Sequence, residues 1–244
     1  MKWNRNLSNT DAGPFIRSFP VFGGGANVND ESIVVIGATA GTNDGFIINP
    51  ASATAALANV VGVAAGTDTN TVSGADSNTT GTNDTHQKLI WNPDGIYLAE
   101  YDQTSTIGLT SSVGTTVTPA GTLEANMGRG WLYAVSGTGA GKLAFIATST
   151  SGSCTTKTAM GWDATTTIIK ILPLFRTSAI LSNNSRKLGT QAAAGGSGYL
   201  IFGNQFEADG IPMQPLDPTK HDNLTLTNAK FFAEVIFTAY IAAI

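Results

Sequence analysis

The sequence predicts an all-β protein: a β-sandwich or β-barrel of jelly-roll-like architecture, with an extended N-terminal arm. Short runs of β-branched and apolar residues recur along the chain, each bounded by Gly, Asn or Asp, and this pattern is typical of buried strands. No stretch keeps a helical apolar period over three turns. Charged residues make up only 12 % of the chain, against about 25 % in an ordinary globular protein. Thr and Gly take their place, and both favour strands and turns.

The first 29 residues are interpreted as an arm. They show neither a strand nor a helix period, and they contain Pro14, Pro20 and the run Gly23–Gly25. They also carry large apolar side chains, which disordered tails usually lack. Two interpretations stand: an ordered segment lying on its own domain, or an arm that docks on a partner subunit. Under the second, the partner-binding candidates are Trp3, Phe15, Ile16, Phe19 and Phe22.

A main β domain is predicted over residues 30–176. It opens with three strands, Ile33–Ile36, Phe46–Ile48 and Val60–Val63. A polar loop, Asp68–Thr85, follows. Its three aspartates do not have the spacing of an EF-hand loop and no bidentate Glu follows them, so a solvated loop is favoured over a calcium site. These aspartates are Asp68, Asp76 and Asp84.

Three hairpins are predicted next. Lys88–Trp91 and Ile96–Glu100 flank the turn Asn92–Gly95, in which Pro and Gly suit a tight reversal. A second strand pair surrounds Gly114. Trp131–Val135 and Lys142–Thr148 flank SGTGAG. This turn fails two of the four fixed positions of a phosphate-binding loop, so a hairpin is predicted there. The β-branched run Thr165–Leu174 is predicted to form a further strand.

The remainder, residues 177–244, is predicted to be a C-terminal β region that forms a second small domain, with the boundary near Phe175–Gly198. Tyr199–Phe202 is predicted as a strand and 204–210 as a turn-rich segment. Three prolines then mark an extended connection. Leu224–Leu226 and Lys230–Ile244 are predicted as a final strand pair.

No constellation of residues predicts a catalytic, cofactor or metal site. His86 and His221 lie in separate polar segments, and Cys154 has no local nucleophile signature, which favours a structural thiol. Two carboxylate pairs at i, i+2 would share a strand face, as the acids of a glycosidase do, although charged strand ends are the commoner explanation. Three tryptophans could form a sugar-stacking platform, although core positions are commoner. The residues are Glu100 with Asp102, Glu207 with Asp209, and Trp91, Trp131 and Trp162.

The charge and the distribution of apolar residues limit the kinds of partner that are expected. The net charge is −4 and the pI about 5.0, without a basic patch, so no nucleic-acid partner is expected. A single cysteine cannot form an intramolecular disulfide. The N-terminus lacks the apolar core of a signal peptide, and the run Phe231–Ile244 is too short to span a bilayer. A soluble protein made in a cytoplasm, with no membrane partner, is expected.

Three features of the sequence carry a resemblance: the stretch SIVVIGATAGTNDGFIINP followed by LANVVGVAAGT, the segment LIWNPDGIYLAEYD, and the low-charge Thr/Gly/Ala composition. Together they resemble structural head proteins of tailed bacteriophages, particularly capsid decoration (cement) proteins. The first stretch looks like the small β-barrel decoration domains, and the second is similar to segments of phage head proteins. The resemblance covers about half of the chain, which is longer than the small decoration domains. The chain lacks the long N-terminal helix of a major capsid protein.

The resemblance implies a non-enzymatic virion protein on the outer surface of a phage head. Its expected partners are the major capsid protein and two further copies of itself in a homotrimer, and no cofactor is expected. Mechanistically, it would staple neighbouring capsomers through many modest contacts that act together. The alternatives are a carbohydrate-binding tail adhesin, or another phage structural protein such as the major capsid protein.

Overall fold

The computed structural model describes residues 2–6, 16–20, 33–36, 47–48, 60–64, 87–91, 95–101, 106–121, 130–172, 187–188 and 199–237. These residues form strands, turns and bends, and none of them is helical, so the all-β prediction is confirmed. In the same residues no helix is long and apolar enough to cross a membrane.

The contacts within the chain separate two compact units. The first contains Met1–Ala99, Leu181–Lys187 and Ile236–Ile244, and the second contains Glu100–Ile180 and Leu188–Val235. The division therefore falls inside two strands, β7 (Gly95–Tyr101) and β17 (Lys230–Phe237). The predicted boundary between residues 176 and 177 lies outside the described residues.

The first unit is built from short antiparallel strands. Five of them form one sheet in the order β2-β6-β5-β3-β4, and β1 pairs with β7. Val34 of β3 and Val63 of β5 are fully buried, as expected for β-branched runs. The bounds are β1 Lys2–Asn6, β2 Ile16–Pro20, β3 Ile33–Ile36, β4 Ile47–Ile48, β5 Val60–Ala64 and β6 Gln87–Trp91.

The hairpin predicted around the turn Asn92–Gly95 is wrong. The two strands exist, but β6 pairs with β2 and β5, whereas β7 pairs with β1 and belongs to another sheet. The sequence Pro-Asp-Gly favours a tight turn through local backbone preferences alone. Which strand pairs with which is decided by distant segments, and the sequence of the turn carries no information about them.

Six strands of the second unit close into an antiparallel barrel, in the order β10-β11-β12-β9-β8-β13. The hairpins predicted around Gly114 and SGTGAG are both confirmed as the pairs β8–β9 and β10–β11. Closure comes from β13, which pairs with β10 on one side and β8 on the other. The bounds are β8 Ile107–Val113, β9 Thr116–Pro119, β10 Trp131–Ser136, β11 Leu143–Ser149, β12 Cys154–Thr156 and β13 Ile168–Leu172.

Alternation along the strands fills the barrel with apolar side chains. Leu132 and Ala134 of β10 point inward with Ile169 and Ile171 of β13, and all four are fully buried. A six-stranded barrel has room inside only for side chains. The interior is therefore a packed core, which also contains Leu109, Val117, Ala144, Ile146, Cys154, Met160 and Trp162.

Part of the outer face of the barrel is covered by the C-terminal part of the second unit, in which β15 lies between β17 and β16. The rings of Tyr133 on β10 and Phe231 on β17 lie 4.8 Å apart. The buried side chain of Asn204 accepts a hydrogen bond from the hydroxyl of Tyr101 (2.8 Å) and donates one to the carbonyl of Leu172 (3.3 Å). The remaining bounds are β14 Lys187–Leu188, β15 Tyr199–Ala208, β16 Ile211–Pro215 and β17 Lys230–Phe237.

The segment predicted as an extended proline connection is strand β16, which ends its sheet. Proline lacks the N–H needed inside a sheet, so Pro212 and Pro215 suit this edge position. The predicted turn-rich segment 204–210 is instead mostly strand, because β15 continues to Ala208 and only Asp209 and Gly210 form the turn. Leu224–Leu226 is not a strand. It makes one isolated bridge, between Thr225 and Lys142.

Candidate functional site

The backbone of three predicted docking residues lies in paired strands. Trp3 of β1 pairs with Tyr97, and Ile16 and Phe19 of β2 pair with residues of β6. The other two candidates, Phe15 and Phe22, lie outside the described residues. Partner binding by these five side chains stays a prediction. The pairing means that any test must leave the backbone of β1 and β2 in place.

Two of the three candidate tryptophans are buried. Trp162 is 3 % exposed and lies in the barrel core. Trp131 is 2 % exposed and meets Phe145 edge-on at 5.2 Å between ring centroids. Stacking on a sugar requires an open ring face, and neither indole offers one. The third, Trp91, lies in β6.

The carboxylates of the second predicted pair each bind a neighbouring side chain. Glu207 forms an ion pair with Lys230 at 3.2 Å. Asp209 accepts a hydrogen bond of 2.7 Å from the Nδ2 of Asn228. These contacts join the β15–β16 turn to the start of β17, which is a structural task. Of the first pair, Glu100 lies in β7 and Asp102 lies outside the described residues.

The remaining candidates for chemistry are a thiol and an imidazole. Cys154 is fully buried in the barrel core, and burial raises the pKa of its thiol to about 12. The thiolate is the nucleophilic form, so this thiol is inert at neutral pH. His221 is 8 % exposed, and its Nδ1 accepts a hydrogen bond from the backbone N–H of Asp217 at 2.8 Å. His86, Asp68, Asp76 and Asp84 lie outside the described residues, and the part that is described contains no cluster of three metal-ligand side chains.

The SGTGAG turn packs closely against the loop that contains Trp162 and Thr167. A Cβ on Gly139 would clash with the Nε1 of Trp162, and a Cβ on Gly137 would lie 2.6 Å from the Cα of Thr167. Thr138 accepts a hydrogen bond of 2.8 Å from the backbone N–H of Asp163. The glycines therefore allow the two loops to pack closely.

The outer surface of the barrel is the feature that bears most on function. Of the exposed residues described between 106 and 172, two are charged, Lys157 and Asp163. All the others are Thr, Ser, Gly, Ala, Val or Ile. Burying such side chains costs little free energy, because they lose little rotamer entropy and carry no charge that must be desolvated. Among the described barrel residues, the exposed surface is therefore poor in charge.

Three branched apolar side chains project from this surface. Val113, at the β8–β9 turn, is 73 % exposed. Val135 on β10 and Ile168 on β13 are 41 % and 42 % exposed, and they are neighbours, since Ser136 pairs with Ile168. We call the two neighbours, Val135 and Ile168, the barrel-face cluster. Sequence reasoning missed it, because an apolar run such as the one containing Ile168 does not reveal which of its side chains point outward.

Comparisons with protein-family models, with curated proteins and with solved structures give no match for this chain.

Proposed function

We propose that this chain is a structural virion protein: a decoration protein that binds the outer face of a tailed-phage head and stabilises contacts between capsomers. The observation that supports this most is the charge-poor surface of the barrel. A protein that stays bound to another protein binds more tightly if the desolvation of its surface costs little free energy. Its partners would be the major capsid protein and further copies of itself.

The proposed attachment works through many weak contacts. Each exposed Val or Ile contributes only part of the roughly 1.5–3 kcal/mol of a fully buried side chain. One copy would bind weakly, but a trimer places three equivalent surfaces on the shell and its binding free energies combine. A trimer can therefore bind the shell specifically although the described barrel residues form no large apolar patch.

The alternative of a carbohydrate-binding adhesin has less support. Its predicted platform of three tryptophans loses Trp131 and Trp162, which are both buried.

The test is binding to heads assembled from the head proteins encoded beside this chain. The variant Val135→Lys/Ile168→Lys places two charges on the barrel-face cluster. Met213→Lys is the matched control, because Met213 is equally exposed, at 41 %, but lies on β16. We expect the double variant to lose co-sedimentation with heads and the control to keep it. Electron microscopy of the heads should show added density on the outer surface. Absence of this density, or full binding by the double variant, would refute the proposal.

A further inference from the structure

Residues 217–226, between β16 and β17, run along β11 of the barrel, and we call this segment the strap. The N–H of Leu143 donates to the carbonyl of Leu224, and the N–H of Asn223 donates back to the carbonyl of Leu143, both at 2.9 Å. The N–H of Leu226 donates to the carbonyl of Gly141 at 2.7 Å. These three backbone hydrogen bonds hold the strap against Gly141 and Leu143 at the start of β11.

Asp222 strengthens this attachment with both carboxylate oxygens. One accepts from the backbone N–H of Phe145 at 2.9 Å, and the other from the hydroxyl of Thr158 at 2.5 Å. β12 pairs with β11 only from Ile146 onward. The strap thus occupies the stretch of β11 that β12 leaves free.

The shape of the strap depends on a buried histidine. The ring of His221 packs edge-on against Phe206 of β15, at 5.1 Å between centroids. Its Nδ1 accepts the hydrogen bond from the N–H of Asp217, and its own backbone N–H donates to the carbonyl of Asp217, both at 2.8 Å. The Asp217 N–H can be bound only if Nδ1 carries a lone pair. In an imidazolium both ring nitrogens are donors, so the docked strap requires neutral His221.

We propose that the strap is a pH-sensitive clasp, in which protonation of His221 breaks the Asp217–His221 hydrogen bond and loosens the strap from β11. Loosening leaves the N–H and carbonyl of Leu143 and the N–H of Phe145 without their partners, so it uncovers an unpaired stretch of strand edge. Such an edge is a surface to which another strand can add. The inference does not depend on the proposed function.

The charges around the ring agree with this direction. Burial lowers the pKa of His221 below its usual 6.5; the Asp217 carboxylate acts in the opposite sense, and Lys220 lowers the pKa further. Both charged groups belong to the strap, and β15 contributes the uncharged Phe206. Lys157, from the barrel, donates to the carbonyl of Pro218 at 2.9 Å.

Proton linkage gives the direction in which opening of the strap depends on pH. The released ring titrates near 6.5 and the docked ring at a lower pKa, so the released state binds more protons between these two values. Above about pH 6.5 the ring of His221 is neutral in both states, so the opening of the clasp does not depend on pH. Below it, opening becomes more favourable by about tenfold per pH unit, until the docked ring also titrates.

The test is residue-resolved amide hydrogen exchange on the full chain at about pH 7.5 and about pH 5, a range that spans the ordinary titration of histidine. We expect the protection factors of Asp217, Leu143 and Phe145 to fall at the lower pH. The amide of Ile146, which donates to Gly130 within the barrel, should stay protected. In His221→Asn the amide oxygen can accept the Asp217 N–H without titrating, so protection should be the same at both pH values. His221→Phe lacks the acceptor and should be poorly protected at both.

Equal protection in the wild type at the two pH values would overturn the proposal, and so would an identical loss in His221→Asn. If His221→Asn fails to fold, the wild type alone decides the question. The ring resonances of His221 then give its pKa by NMR, and the loss of protection must follow that titration. A loss that follows a different pKa would assign the effect to another group.

Discussion

At the scale of single residues, small side chains fix how the loops of the barrel meet. The turn between β10 and β11 lies directly on Trp162 because Gly139 has no side chain. Its neighbour Gly137 has a φ of 85° and touches the backbone of Thr167. Sequence reasoning identified this segment as a hairpin turn from its glycines. It could not say that the glycines contact a tryptophan more than twenty residues further along the chain, because that contact exists only once the barrel has closed.

We expect Gly139→Ala to destabilise the barrel by about 1–3 kcal/mol, the usual cost of overpacking a close contact. The added methyl group would meet the indole of Trp162, a core residue that has little room to move. Gly152→Ala is the matched control, because nothing lies within 4 Å of its Cβ. Urea denaturation followed by tryptophan fluorescence measures both. Equal stability of the two variants would show that the loop yields at no cost.

The thiol of Cys154 should be unreactive in the folded protein. It is fully buried, and its pKa of about 12 leaves almost no thiolate at neutral pH. We expect no reaction with a thiol-specific disulfide reagent in buffer and stoichiometric reaction in denaturant. Rapid labelling of the native protein would contradict the packed barrel core.

At the scale of elements, local signals predicted strands better than they predicted pairing. The β8–β9 and β10–β11 hairpins were predicted correctly, because in each case the two strands that a short turn joins also pair with each other. The sequence at 92–94 favours a turn equally well, yet β6 and β7 belong to different sheets. β15 runs to Ala208, beyond the predicted end at Phe202, because Asn204 and Glu207 are stabilised in the strand by Tyr101 and Lys230. Neither partner is visible from local sequence.

The prediction for the N-terminal arm is best tested with side-chain substitutions. Deleting residues 1–22 would also remove β1 and β2, which pair with β7 and β6. Replacing Phe15 and Phe22 with Ala leaves those strands intact. If the two aromatic side chains dock on the capsid, their loss should weaken head binding by about ten- to a hundredfold for each side chain, the equivalent of about 1.5–3 kcal/mol.

The measurement is co-sedimentation with heads, alongside circular dichroism. Weaker binding with an unchanged β spectrum supports docking by the arm. A lost spectrum would show that the two side chains belong to the protein's own core, and unchanged binding would refute the arm hypothesis.

At the scale of the whole molecule, the low charge of the composition reappears on the surface of the barrel. The exposed face of the described barrel has Lys157 and Asp163 as its charged residues. Composition does not say where such a surface lies. Barrel closure determines that, because the pairing of β13 with both β8 and β10 turns Ile168 outward while Ile169 and Ile171 face the core.

The last prediction concerns assembly in solution. A surface with so few charges is weakly hydrated and poorly protected against self-association. Closed symmetric oligomers bury such a surface between their subunits without growing into open fibres. Together with the resemblance to phage decoration proteins, this favours a homotrimer. Light scattering coupled to size exclusion should give three times the 25.2 kDa mass of one chain. High salt should leave this mass unchanged, because few ion pairs are available for screening to weaken. A monomer at micromolar concentration that also binds heads as single copies would refute the trimer, and a salt-sensitive trimer would show that charged residues hold it together.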